Sequence, residues 1–198
     1  MQCKVLMSAD QLLKQQNKNV ARQIIELIET DEHPEQIVDV LLQKFPAYDP
    51  DYRKELAEIA CERFIAVVGQ SQSEKNQDQL IAVFTLRRSE KIITKLYDAY
   101  DKAETTQAKR MIFRALGKCG GEEAAECLIL LVAGGAFEEE LYPELITALG
   151  NTQVGQAFVI LNDIRHEVAH DDLLCQAIER AQQKIGNDHA RGYVHLMI

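Results

Sequence analysis

The sequence predicts an all-α protein, a right-handed α-solenoid of about four to five stacked helix pairs. Three observations predict it. Apolar residues recur at i, i+3, i+4 spacing almost from end to end, painting one stripe along a helix of 3.6 residues per turn. No segment sustains the period-two alternation of a half-buried strand. A helix–turn–helix unit also returns at a nearly fixed interval through the second half of the chain, which is the mark of a stacked array. With 198 residues, 46% hydrophobic and 27% charged, the chain can bury a real core and is read as one domain, 1–198.

The first predicted helix, 9–30, carries Leu13, Val20, Ile24 and Ile28 behind Asp10, an N-cap or first-turn acid. Pro34 opens the second, 34–45, and Pro46 and Pro50 fall in the connection to the third, 51–69. A proline lacks the donor that a helix interior needs and disfavours helix in the residue before it. The third helix bears the stripe Tyr52, Leu56, Ile59, Ala60, Phe64 and Val67, with Asp51 at its start. The stretch 70–76, QSQSEKN, is the most loop-like. Helices 77–87, 89–102 (opened by Ser89), 105–118 and 122–133 follow. In 137–150 the stripe is Leu141, Leu145, Ile146 and Leu149, and Pro143 predicts a kink or a break. Helices 153–165 and 171–186 complete the series, the last with Asp172 at its start and Leu174, Ala177, Ile178, Ala181 and Ile185 on one face. The tail 187–198 has no stripe and is expected to fray. The organisation is thus an irregular helical cap over 1–50, repeats over 51–186 and a tail over 187–198.

Self-similarity is the strongest signal. Leu116-Gly117 aligns with Leu149-Gly150 at an interval of 33 residues, and Ala115 then matches Ala148, Ile112 matches Leu145, and Leu128 matches Leu161. Ile185-Gly186 reads as a third copy 36 residues on, and Val68-Gly69 as a looser fourth. The glycine is expected to close the first helix of each pair in a left-handed conformation. The second helices, with CLILLV in 122–133 and AFVILNDI in 153–165, are apolar almost all round. That predicts burial on every side, in the middle of the stack.

The stretch RALGKCGGEEAAECLILLV, residues 114–132, and its second copy ITALGNTQVGQAFVILNDI resemble the HEAT-like repeat named after phycobilisome lyases. That family pattern is a helix ending in A-x-x-L-G, a short glycine turn, then A-x-x-x-L-x-x-L. The resemblance implies a solenoid of HEAT-like repeats, and most such proteins are binding scaffolds. It leaves as an alternative a bilin lyase-like protein acting on a tetrapyrrole-carrying partner. Function on a shared fold has to be argued from a site.

His166-Glu167-Val168-Ala169-His170 reads H-E-x-x-H, which on one helix would hold zinc with Glu as general base. The overlapping stretch RHEVA, residues 165–169, resembles the metal-binding motif of deoxyhypusine hydroxylase, a helical-repeat enzyme that needs several His-Glu pairs. This chain has one. Arg165, Asp171 and Asp172 flank the string with charge, and the repeat register makes 166–171 a connecting turn. A metal enzyme using His166 and His170 is therefore the least favoured reading, and neither a metal nor a cofactor is expected. Cys3, Cys61, Cys119, Cys127 and Cys175 form no C-x-x-C pair. Cys61, Cys127 and Cys175 sit among apolar helix residues as small hydrophobes. The odd number is that of a reducing compartment.

Charge separates the classes further. The net charge of −9, from 31 acids and 22 bases, argues against nucleic acid, whose binding needs a positive field. No apolar run reaches the roughly 20 residues that span a bilayer, and MQCKVLMSADQLLK turns polar too early for a signal-peptide core. A cytoplasmic protein is expected. Between Lys118 and Arg165 no Lys, Arg or His occurs, while Glu122, Glu123, Glu126, Glu138, Glu139, Glu140, Glu144 and Asp163 do. Glu122, Glu123, Glu126 and Asp163 are the candidate partner-binding residues. Glu126 and Asp163 are chosen because they are read as lying late in their helices, where a carboxylate opposes the dipole. The expected function is a non-enzymatic protein–protein interaction scaffold, binding a partner of basic or mixed surface along the concave face of the repeats.

Overall fold

The computed structural model describes residues 16–70, 74–133 and 138–194, the last eight of them by backbone alone. Cys3, Asp10, the predicted helix start at 9–15 and residues 195–198 of the tail lie outside the described residues. Among the described residues the chain is all-helical, with no strand. The helices are α1 (Lys18–Thr30), α2 (Pro34–Lys44), α3 (Pro50–Val67), α4 (Glu74–Phe84), α5 (Glu90–Asp101), α6 (Thr106–Cys119), α7 (Gly121–Ala133), α8 (Tyr142–Thr152), α9 (Gly155–Glu167) and α10 (Asp172–Val194). No described helix is long and apolar enough to cross a membrane.

Local chemistry sets the helix ends. The Asn17 side chain accepts from the Asn19 and Val20 amides at 3.1 Å and starts α1. Asp49, not Asp51, caps α3, accepting from the Asp51 amide at 2.8 Å, while Asp51 supplies first-turn charge. Thr105 accepts from the Ala108 amide to start α6. Asp171 accepts from Leu173 and Leu174 to start α10, with Asp172 in the first turn. Each cap satisfies amides that have no partner within the helix. All four prolines stand in an opening turn: Pro34, Pro50 and Pro143 in α-helices, Pro46 in the 3-10 turn Phe45–Ala47. Pro143 therefore breaks the predicted helix 137–150 rather than kinking it. A 3-10 turn, Glu139–Leu141, precedes α8, and the proline occupies a position where its missing N–H costs nothing. The expected fraying of the tail is overturned as far as Val194, because α10 continues there. Intrahelical hydrogen bonds need no apolar stripe, and no proline interrupts them.

The chain divides into two compact units, one ending at Ile92 and one beginning at Ile93. In unit 1, α3 packs most extensively on α4, α1 on α3 and α2, and α2 on α4. Ile24, Ile28, Leu41, Leu56, Phe64 and Phe84 are fully buried there, with the Phe64 and Phe84 rings 5.5 Å apart. Arg63 reaches back from α3 to α1, its Nε 2.7 Å from both carboxylate oxygens of Glu29.

Unit 2 carries the repeat. Helix α8 packs on both α6 and α10, the largest helix contacts of the unit. The second helices α7 and α9 pack on these and on each other. The glycines differ from expectation. Gly117 and Gly150 lie inside α6 and α8, and the left-handed residues are Gly120 (φ 62°) and Gln153 (φ 60°) just beyond those helices. A Cβ on Gly117 would stand 2.6 Å from the Ala148 Cα, and one on Gly150 would stand 2.8 Å from the Ala181 Cβ. These glycines exist for close helix approach, each against the alanine of the next repeat. Of the aligned glycines, Gly69 (φ 83°) does adopt the backbone expected of all.

The same contacts correct the third copy. Ala181 meets Gly150 as Ala148 meets Gly117, so Ala115, Ala148 and Ala181 recur at 33 residues without a break. Gly186, the basis of the 36-residue alignment, has no neighbour among the described residues within 4 Å of the point where a Cβ would stand. Its sequence context imitates the repeat glycine without its contact.

Candidate functional site

The candidate site is the outer face of α7 and α9. Gly120 (φ 62°) precedes α7 and Gly121 (φ 83°) opens it, with Glu122 and Glu123 in its first turn. The buried side of α7 is Ala124, Ala125 and Leu128, and that of α9 is Ala157, Leu161 and Ile164. These are i, i+3 and i, i+4 sets, half of them alanine and half Leu or Ile, so each helix presents one apolar side to its neighbours. On the other side the large apolar residues point outward: Leu130 is 58% exposed, Val159 59% and Phe158 39%. The expectation that these helices are buried on every side is therefore wrong. An apolar run longer than one stripe reads the same whether its second face meets protein or water.

Glu122, Glu123, Glu126 and Asp163 all lie exposed on this face. None has a hydrogen-bond or ion-pair partner among the described residues. Other acids of the base-free window do. Glu138 accepts from Thr106 and Lys109, and Glu144 lies 3.7 Å from Arg110. The Lys109 ammonium and the Thr106 hydroxyl hold the Glu138 carboxyl below its usual range. The window thus separates into acids that tie α6 to the start of the next repeat and acids that face outward. The placement of Glu126 needs correction: it sits in the middle of α7, because the helix runs Gly121–Ala133. It lies outside the first turn, where the helix dipole would favour it. Asp163 lies just before the last turn of α9.

The H-E-x-x-H string does not lie on one helix. His166 and Glu167 end α9, Val168 is the C-cap, and His170 is in the turn before α10. Glu167, the would-be base, accepts from the Tyr142 hydroxyl at the start of α8. Burial, then this hydrogen bond, pushes the Tyr142 hydroxyl up to about 12. Among the described residues, no three His, Cys, Asp or Glu side chains converge to hold a metal ion. His166, Asp172, Cys175 and Glu179 border an open cleft of about 470 Å³, across which Arg165 pairs with Glu179 at 2.7 Å. A second open cleft, about 500 Å³, runs along α1 and α3 and mixes Lys18, Arg22 and Lys54 with Asp51, Glu55 and Glu62. Cys61 and Cys119 are buried, and Cys127 is half-buried on α7. Burial, then the Glu126 charge, pushes the Cys127 thiol up, away from the thiolate a nucleophile needs.

The four acids named from the sequence are exposed, whereas the exposure of Leu130, Phe158 and Val159 beside them was not expected from it. The signal was present: Ala124, Ala125 and Leu128, and Ala157, Leu161 and Ile164, each already make one complete side of a helix, which leaves Leu130, Phe158 and Val159 on the other. Compared with known proteins, the chain matches no family model, no curated protein and no solved structure. The fold and the site define an all-helical protein whose second unit repeats a helix pair.

Proposed function

We propose that the chain is a non-enzymatic scaffold, its repeats stacked as an α-solenoid of HEAT-like type, and that it binds another protein through the outer face of α7 and α9. One observation carries this reading. Leu130, Phe158 and Val159 are exposed beside four acids that have no partner within the described chain. Large apolar residues gathered on one face and bordered by polar ones mark interaction surfaces. The absence of Lys, Arg and His from 119–164 favours a partner of basic or mixed surface, with association slowed by salt.

A photo-crosslinking residue placed at Leu130 or at Val159, in cells that make the protein, tests this. Both positions are expected to capture the same protein, and the exposed Lys54 of α3 is expected not to. Equal capture from all three positions, or none from either helix, would remove the face as the site.

A further inference from the structure

We infer that the partner element seated on α7 and α9 is a cationic amphipathic α-helix. The inference rests on the partner-binding reading and adds the chemistry of what is bound. Its first support is the arrangement of the exposed residues. On α7, Glu126 and Leu130 are four residues apart and lie on one exposed side. On α9, Val159 and Asp163 do the same. In the 33-residue register Val159 takes the place of Glu126, and Asp163 that of Leu130. Acid and apolar groups therefore exchange places from one helix to the next. Phe158 widens the apolar part, and Glu122 and Glu123 extend the acidic part. An occupant must place apolar and basic side chains within a few ångströms of each other, as a helix does with residues at i, i+3, i+4 and i+7.

The second support is the backbone. Strand addition needs an open sheet edge, and the described residues contain no strand. The amides and carbonyls within α7 and α9 are already paired along their helices. An extended peptide would find side chains alone on this face, and its own backbone would be shielded from water without partners, at a cost. A helix brings its backbone already satisfied. It would lie against α7 and α9 as one more helix on the array, at the usual packing separation.

The third support is charge complementarity. Four unpaired carboxylates stand on a stretch, 119–164, that has no Lys, Arg or His. The bases that follow in the last turn of α9 are Arg165, which is engaged with Glu179, and His166. The face is therefore acidic on balance, which disfavours nucleic acid and anionic lipid surfaces and attracts Lys and Arg.

Three synthetic peptides test this: an 18-residue leucine/lysine helix, the same composition in shuffled order, and a leucine/glutamate counterpart. Affinity is measured by anisotropy at low and moderate salt, with amide exchange to locate the contact. The ordered leucine/lysine peptide is expected to bind at least about tenfold more tightly than either control, and to protect α7 and α9. Binding is expected to fall about tenfold with Glu126→Lys plus Asp163→Lys, and again with Leu130→Ser plus Val159→Ser. All four are exposed positions, and unchanged unfolding midpoints would show that each variant is folded. Equal binding of the ordered and shuffled peptides, or indifference to both pairs of substitutions, overturns the inference. If crosslinking at Leu130 and Val159 captures one protein but no peptide binds, the partner-binding reading stands and the cationic helix is wrong. If both fail, both readings fall.

Discussion

The two helix layers of unit 2 use one repeat to opposite ends. In α6, α8 and α10 the regular spacing of 33 residues places glycine against alanine, and bulky residues such as Ile112, Leu116, Leu145 and Leu149 are fully buried. Acids at the repeat boundary are engaged: Glu138 with Lys109 and Thr106, Glu144 with Arg110. In α7 and α9 one side is buried, with Leu128, Leu161 and Ile164 among alanines, while Leu130, Phe158 and Val159 look outward, with acids left unpaired beside them. The first layer is satisfied within the chain and the second is satisfied on one side only. A repeat can hold its core with a few residues per helix, which leaves the remaining face open to solvent.

The largest expected loss of stability lies at the residues that anchor the second layer. Leu128 and Leu161 occupy the same repeat position and are fully buried. Truncating either to Ala is expected to destabilise the protein by about 2–5 kcal/mol, as large-to-small core changes do. Chemical denaturation measures this. Unchanged midpoints for both variants would mean that α7 and α9 are not anchored as described.

The next largest effect sharpens the account of the first layer, because it predicts opposite signs among three glycines. Gly117→Ala and Gly150→Ala force a Cβ to 2.6 Å from the Ala148 Cα and 2.8 Å from the Ala181 Cβ. The helices must separate, at about 1–3 kcal/mol each. Gly186→Ala meets no described atom within 4 Å, so the gain in helix propensity remains, about 0.5–1 kcal/mol of stabilisation. Three gains in melting temperature would show that Gly117 and Gly150 are ordinary helical glycines.

These glycines also show where the sequence was legible and where it was not. The helix starts at Pro34, Pro50 and Asp172 were readable to within a residue, because proline and first-turn acids act locally. The capping side chains are nevertheless Asp49 and Asp171, each one residue or two before the acid named from the sequence. The 33-residue interval was readable from apolar matches. The purpose of Gly117 was not, since a missing Cβ serves a left-handed turn and a close approach equally well, and only the neighbour across the interface distinguishes them. Gly186 misled for the same reason. The acids of the candidate site were readable because a base-free window is a property of composition. The exposure of Leu130 and Val159 was not readable from periodicity, which ranks faces but does not say how many are covered.

The smallest expected effect concerns the engaged acids, and it separates the two layers by pH. Glu138 has a carboxyl held below its usual range, first by the hydrogen bond from Lys109, then by that from Thr106. A folded-state pKa below the unfolded one stabilises the fold above the ordinary carboxylate range, and the contribution is lost as pH falls through the depressed value. Glu138→Gln is therefore expected to lower the unfolding midpoint at neutral pH. The deficit should shrink on acidification and vanish once the native carboxylate is protonated. Lys109 and Glu138 are 21% and 41% exposed, so solvent screens the pair and the deficit is small. Lys109→Met should remove most of the same contribution, and the double variant should lose little beyond either single one, because the two act on one interaction. Thermal unfolding of the four proteins from neutral to strongly acidic pH measures it. A Glu138→Gln deficit that stays constant across that range would show that the carboxylate acts by packing, and the electrostatic contrast between engaged and outward acids would lose its support.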